Sequence, residues 1–291
     1  MRSRTLGSGG PTVSAIGFGG MHLSIQGRPP REQALSVLHA SLDAGVTFID
    51  TADVYALDDD DIGHNERLIA KALRTWRGPR DRILVGTKGG MSRPAGKWTS
   101  DGRPAHLRRA CEQSLAALGV ERIDLYQLHT PDPAVPFAES VGALSDLRQE
   151  GKIRWVGISN VTVSQIREAE RIVPVTTVQN RLNPFFREAL LDGVLEYCSR
   201  QGIGFLAYSP TGGGRLNLTL PQHPVLQQLS ARLGASPHAI VIAWVLALGP
   251  TVIPIPGART EGHARDSAAA AELDLTELDV QAINQALFSR A

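Results

Sequence analysis

From Ile16 onward, short apolar runs alternate with amphipathic stretches, and this alternation constrains the fold more than any other feature of the chain. Parallel βα units produce it, because each strand is buried on both faces while each crossover helix buries a single stripe. The runs that read as strands are 16–19, 46–50, 83–88, 123–129, 153–159, 175–179, 203–208 and 252–255. Eight parallel strands close a barrel, so the expected class is α/β, a (β/α)8 TIM barrel forming one domain over residues 1–291. The length agrees, since such barrels commonly take about 250 residues as one unit. An open doubly wound sheet would share the alternation. It would also call for a G-x-G-x-x-G run after the first strand, whereas Ile16 leads into Gly17-Phe18-Gly19-Gly20-Met21 with no helix start beside it.

The segments between strands carry helical periodicity. After Pro104, the residues Leu107, Ala110, Cys111, Ser114, Leu115 and Leu118 draw one buried stripe that Gly119 stops. Thr162 with Gln165 forms a capping box, and Ser236 before Pro237 gives a hydroxyl cap with proline at the first helical position. Ahead of the barrel, the glycine-rich stretch 5–13 reads as a β-hairpin capping the barrel bottom.

Composition removes several function classes. Hydrophobic residues make up 42% and charged residues 20%, enough to bury a substantial core. Thirty basic side chains against twenty-nine acidic ones leave a net charge of +1, which argues against nucleic acid or a membrane surface as partner. Cys111 and Cys198 form no close-spaced ligand pair, and no apolar run reaches the roughly 18 residues of a membrane span. The expectation is a soluble cytoplasmic monomer. Asp58 to Asp61 with His64 reads as a solvated loop, and no metal is expected.

Chemistry in a barrel gathers where strands reach their C-terminal ends. Here those ends carry Asp50, Lys88, His129, Ser159-Asn160, Gln179 and Tyr208-Ser209-Pro210, with Tyr55 five residues beyond Asp50. A free tyrosine has a pKa near 10 and is a poor acid at neutral pH. A neighbouring ammonium would lower that value, and a carboxylate would hold the ammonium in place, which makes Asp50, Lys88 and Tyr55 a chain suited to protonating a developing alkoxide. His129 could hydrogen-bond the incoming carbonyl oxygen. Ser159, Asn160 and Gln179 donate and accept together, as a carboxamide requires. Thr211-Gly212-Gly213-Gly214 offers unhindered backbone N–H groups to a pyrophosphate. The stretch from Ile255 through Gly257 to Arg259 opens a helix whose N-terminus, with Arg259, could take a phosphate. Met21, His22 and Trp98 are placed to line the substrate mouth together with Tyr55 and His129.

The chain resembles the aldo-keto reductase family over nearly its whole length. The resemblance rests on the residues from Gly45 to Tyr55, on Thr87-Lys88, on Asp124 to His129, on Gly157 to Asn160, and on Val178-Gln179-Asn180, Tyr208-Ser209-Pro210 and Ile255-Pro256-Gly257. It implies a catalytic tetrad of Asp50, Tyr55, Lys88 and His129, with Tyr55 as general acid in the NAD(P)H-dependent reduction of an aldehyde or ketone. It implies that Ser159, Asn160 and Gln179 hold the nicotinamide carboxamide and that Tyr208 stacks on the ring. The cofactor set extends to Gly20, Met21, Asp50, Ser209, Pro210, Thr211, Gly212, Ile255, Gly257, Arg259, His263 and Ser267.

This sequence departs from the family pattern after the Ile-Pro pair, where Gly257, His263 and Asp266-Ser267 replace a lysine, an arginine and a Glu-Asn pair. NADPH is the expected cofactor through Arg259, His263 and Arg265, with NADH as the alternative. The stretch from Ser159 to Thr162 and the glycine-rich loop resemble the bacterial pyridoxal-reductase type. Two other readings of the same residues are a Schiff-base aldolase or isomerase using Lys88, and a nicotinamide-binding regulatory module without significant turnover.

Overall fold

The computed structural model describes residues 1–290. A hairpin of β1 (Ser3–Thr5) and β2 (Thr12–Ser14) precedes eight strands that share one sheet. These are β3 (Phe18–Gly19), β4 (Phe48–Asp50), β5 (Leu84–Gly89), β8 (Ile123–Leu128), β9 (Ile153–Ser159), β10 (Val175–Arg181), β11 (Gly204–Tyr208) and β12 (Val252–Ile255). Their spatial order follows the chain and every neighbouring pair is parallel. A short antiparallel pair, β6 (Met91–Ser92) and β7 (Thr99–Ser100), stands apart in the loop after β5.

The first and last strands close the barrel through Gly17 N–H to Pro254 O and Gly19 N–H to Pro256 O, both at 2.9 Å. Glycine permits this approach, because a Cβ on Gly19 would lie 2.7 Å from Ile255 O and one on Gly17 would lie 2.7 Å from the Phe48 ring. The expected strand 16–19 is regular only at Phe18–Gly19. The strands expected at 153–159 and 252–255 match β9 and β12, and the one expected at 175–179 continues to Arg181.

The helices around the barrel are α1 (Arg31–Asp43), α2 (His64–Thr75), α3 (Pro104–Leu118), α4 (Phe137–Gln149), α5 (Val163–Glu170), α6 (Glu188–Leu191), α7 (Val194–Gln201), α8 (Pro224–Leu233), α9 (Pro237–Ala247), α10 (Glu261–Ala269) and α11 (Glu277–Gln285). In α3 the stripe read from the sequence is buried at Leu107, Ala110, Cys111, Ser114 and Leu118, and Gly119 ends the helix at φ +69°. The Thr162–Gln165 capping box opens α5, and Ser236 accepts from Ala239 N–H at the start of α9. Helices α8 and α9 meet at 93°, and among the described residues no single helix is long and apolar enough to cross a membrane.

Two apolar layers hold the site in place. Between barrel and helices lies the larger one, with Val37, Ile69, Leu144, Val156, Ile166 and Trp244 fully buried. Inside the barrel, Phe48, Leu84, Leu125, Leu206 and Ile253 pack with Leu6 and Val13 of the hairpin. The hairpin therefore seals the bottom, as its glycine-rich sequence suggested. Burial of each large side chain in that plug contributes roughly 1.5–3 kcal/mol. One end of the barrel is thus filled and dry, so polar side chains at the other end sit on an apolar floor.

The aspartate run is solvated, as its composition suggested, with Asp59 and Asp60 exposed and Asp58 and Asp61 half-buried, but it is also tied down. Asp58 Oδ1 accepts from Asp60 N–H, Asp59 Oδ1 accepts from Arg93 N–H at 2.6 Å, and Asp61 Oδ2 pairs with Arg28 at 2.5 Å. Asp59 and Asp61 thus bind neighbouring segments, which local composition could not show. Among the described residues, no group of three or more His, Cys, Asp or Glu is placed to hold a metal ion.

Candidate active site

Asp50 and Lys88 come from neighbouring strands, β4 and β5, and Tyr55 from the turn that follows β4. The register pairs Asp50 with Gly86, which puts Lys88 one residue pair further toward the mouth on the same face. Lys88 Nζ donates to Asp50 Oδ2 at 2.6 Å, to Thr51 O at 2.9 Å and to Tyr55 Oη at 3.1 Å. Three donors thus meet three acceptors, and Lys88 is fully buried with Asp50 only 2% exposed. The other carboxylate oxygen, Asp50 Oδ1, accepts from Gln179 at 2.7 Å and from Gln127 at 3.2 Å.

Burial opposes charge on the lysine, but the facing Asp50 and Tyr55 oxygens outweigh it and leave the Lys88 pKa raised. An ammonium results, as the sequence reading required. The phenol behaves differently from that reading. Burial pushes the Tyr55 pKa up, Lys88 pulls it down, Asp50 pushes it up again, and the net direction is upward. Proximity to an ammonium was correctly inferred; the cost of putting a phenolate in a dry barrel mouth was left out.

His129 follows the last residue of β8, and its imidazole pKa is held well below the usual value, first by burial and then by the Lys88 charge. It is a neutral ring at neutral pH, able to donate one hydrogen bond without bringing a charge. Tyr55, His129 and Trp98 meet edge to face, with centroids 5.8 Å apart for Tyr55–His129, 6.3 Å for Tyr55–Trp98 and 6.4 Å for Trp98–His129. The distances lie within the range of favourable aromatic pairs.

These groups open into a cavity of about 880 Å³, within the size range of ligand sites. Of the residues singled out from the sequence, it is lined by Met21, His22, Asp50, Tyr55, Trp98, His129, Ser159, Asn160, Gln179, Tyr208, Ser209, Pro210, Thr211, Ile255, Gly257, Arg259 and His263. Gly20, Gly212 and Ser267 lie outside that lining. Gly20 packs on Asn65, whose amide donates to its carbonyl; Gly212 faces the Phe185 ring; Ser267 sits a turn deeper in α10 than His263. Lys88 lies beneath the surface of the cavity and is linked to it through Asp50 and Tyr55.

A chain of hydrogen bonds runs along the strand ends. Tyr208 Oη donates to Asn160 Oδ1 at 2.8 Å, Asn160 Nδ2 donates to His129 O at 3.0 Å, and Ser159 Oγ donates to Gln179 O at 2.7 Å. Asn160 and Ser209 hold left-handed backbone at φ +59° and +49°, a strained conformation that turns their side chains and amides toward the mouth. Gly212, Gly213 and Gly214 are all left-handed. At the far end, Thr260 caps α10 by accepting from His263 N–H, and Glu261 in its first turn pairs with Arg265 at 2.8 Å.

The sequence reading missed Arg181, Met91, Thr130, Asn217 and Leu218 in the lining, and Gln127 beneath Asp50. Strand alternation could have found two of these. Arg181 is two residues past Gln179 and Gln127 two before His129, so each shares a face with a residue already chosen.

A closed eight-stranded barrel with a carboxylate, ammonium and phenol joined at its C-terminal mouth defines the class of enzyme. Residues 15–287 match the model of the Aldo/keto reductase family, and the chain belongs to that family. It is 34% identical to a protein of Schizosaccharomyces pombe named "Uncharacterized oxidoreductase", over 94% of this chain and 86% of the relative. It is 35% identical to "Probable aldo-keto reductase 1" of Glycine max, over 97% and 88%. An aldo-keto reductase from Klebsiella pneumoniae, solved in complex with NADPH, superposes with a TM-score of 0.81 at 28% identity, covering 98% of this chain and 95% of that one.

Proposed function

We propose that this chain reduces the carbonyl of an aldehyde or ketone to an alcohol with NADPH, and that Tyr55 is the general acid. The observation that carries this reading is Lys88 Nζ held between Asp50 Oδ2 at 2.6 Å and Tyr55 Oη at 3.1 Å beneath the cavity. Tyr55 gives its proton to the oxygen of the reduced carbonyl, and the Lys88 ammonium stabilises the phenolate left behind. Asp50 keeps Lys88 charged and in register. His129, neutral, donates to the carbonyl oxygen and fixes its approach to Tyr55. When bound, the cofactor supplies the hydride from its nicotinamide ring.

The cavity fits that cofactor in three places. The amide NH2 of Gln179 is committed to Asp50, which leaves its oxygen, with Ser159 and Asn160, to hold a carboxamide. Tyr208, tied to Asn160, presents an aromatic face beside them. The left-handed glycines 213 and 214 leave the backbone open to a pyrophosphate, and Arg259 with His263 line the end where a 2′-phosphate would lie.

Arg259 makes no ion pair with any carboxylate among the described residues, although Glu261 stands two residues away. Arg259→Ala is expected to raise the KM for NADPH about 10- to 100-fold, the range of a charge-assisted phosphate contact, and to leave the KM for NADH nearly unchanged. Equal catalytic efficiency of the unaltered enzyme with NADH and NADPH would remove this role from Arg259.

The direct test is consumption of NADPH against a panel of aldehydes and ketones, pyridoxal among them. Tight NADPH binding with no consumption on any carbonyl would leave a cofactor-sensing module instead of a reductase. The environment of Lys88 does not favour a Schiff-base reading, because all three of its protons are already engaged and its charge is stabilised.

A further inference from the structure

The loop after β5 contains a buried cation that the reduction mechanism does not use. Arg93 is 1% exposed, and it joins three segments that are distant in sequence. Its Nη2 donates to Gln26 Oε1 at 3.2 Å, to Ala56 O at 3.2 Å and to Leu57 O at 3.4 Å, while its backbone N–H donates to Asp59. Ala56 is the residue directly after Tyr55. The guanidinium stands over the face of Trp98, with its carbon 3.8 Å from the ring centroid. Its remaining Nε and Nη1 have no hydrogen-bond partner, so the face of the indole is their principal contact.

Trp98 needs such an anchor. It is 45% exposed, on a short excursion where Ala95 and Gly96 both hold left-handed backbone. Nothing in that local sequence would keep a half-exposed indole in one rotamer. With Arg93 behind it, the indole stands edge-on to Tyr55 and to His129, and the three rings form a cup around the phenol, with Met21 and Met91 packed beside it. The cup has aromatic edges and faces and soft thioether walls, and it presents no charged group apart from what lies beneath Tyr55.

We propose that Arg93 is a positioning residue that holds Trp98 against Tyr55 and His129, and that the resulting cup selects planar, aromatic carbonyl compounds over aliphatic ones. This rests on the carbonyl-reduction reading above. A flat ring inserted beside three edge-to-face rings meets them in offset or T-shaped contact, while its carbonyl reaches Tyr55 and His129. A flexible alkyl chain gains only apolar contact and loses rotamer freedom in the same space.

The experiment compares benzaldehyde with butanal, using NADPH, in the unaltered enzyme and in Arg93→Lys, Trp98→Ala and the double variant. Lysine keeps the charge but not the planar guanidinium over the indole face. The unaltered enzyme is expected to favour benzaldehyde in kcat/KM. Arg93→Lys should lower kcat/KM for benzaldehyde about tenfold and for butanal less than about twofold, with the KM for NADPH unchanged, a loss of about 1.4 kcal/mol. Because Arg93 acts through Trp98, the double variant should be no worse than Trp98→Ala alone. Equal losses on both aldehydes, multiplying losses in the double variant, or a preference for butanal in the unaltered enzyme would each overturn the proposal.

A readout without turnover separates this from the function itself. Titration with benzamide, a planar compound that is not reduced, should quench indole fluorescence in the unaltered enzyme and much less in Arg93→Lys and Trp98→Ala. If quenching follows Arg93 but no carbonyl is reduced, the cup stands and the reductase reading falls. If carbonyls are reduced while benzamide quenching ignores Arg93, the cup falls and the reductase stands.

Discussion

Tyr55→Phe is expected to lower kcat for carbonyl reduction by roughly 10²- to 10⁴-fold, the usual worth of a positioned general acid, and to leave NADPH affinity almost unchanged. The substitution removes one hydroxyl, the one 3.1 Å from Lys88 Nζ, and keeps the ring that meets His129 and Trp98. The pH dependence carries a sign that follows from burial. Tyr55 has its pKa raised above the ordinary 10, so the hydroxyl keeps its proton through the neutral and mildly alkaline range. Reduction uses the protonated form and is lost only as pH rises through that elevated value. His129, held well below its ordinary value by burial and Lys88, stays neutral down to mildly acidic pH and contributes no acid limb near neutrality. The kcat/KM of reduction should therefore be level between about pH 6.5 and 9. An alkaline limb centred below about pH 9 would show that Lys88 outweighs burial, contrary to the direction found here.

Lys88→Met is expected to destabilise the fold by about 3–5 kcal/mol as well as to abolish turnover, because it strands the Asp50 carboxylate in the barrel with two amide donors and no cation. That is a large part of the 5–15 kcal/mol by which a typical protein is stable. A shift of the urea midpoint at unchanged slope would measure it. Asp50→Asn combined with Lys88→Met should recover more than half of the loss, since the asparagine oxygen still accepts from Gln127 and Gln179 and no charge remains buried. Turnover should stay absent in the pair. A cost below about 1 kcal/mol for Lys88→Met alone would mean that the pair is not a buried ion pair at all.

Much of the site was legible because strand ends are legible. Asp50, Lys88, His129, Asn160, Gln179 and Tyr208 stand at or beside the ends of apolar runs, and in a parallel barrel those ends converge. Arg181 and Gln127 were equally accessible through alternation. What could not be read was anything that depends on which loop packs on which. Asp59 looked like one carboxylate of a solvated run, yet it holds the backbone of Arg93. Arg93 carried no signal in the sequence, yet it is buried under Trp98. Gly20 and Gly212 lie in the right loops but face Asn65 and the Phe185 ring, and Ser267 lies a turn further along α10 than His263, outside the cavity lining.

The sequence alone determined the eight barrel strands, their parallel order, the caps of α5 and α9, the hairpin under the barrel, and the polar side chains at the strand ends. These follow from local periodicity and backbone preference, which are written residue by residue. Tertiary structure decided the protonation and the shape of the site: a Tyr55 pKa moved upward, a neutral His129, and an indole fixed by an arginine 3.8 Å away. Desolvation and contact depend on what surrounds a group from every side, and that is settled only when segments remote in the chain close around it.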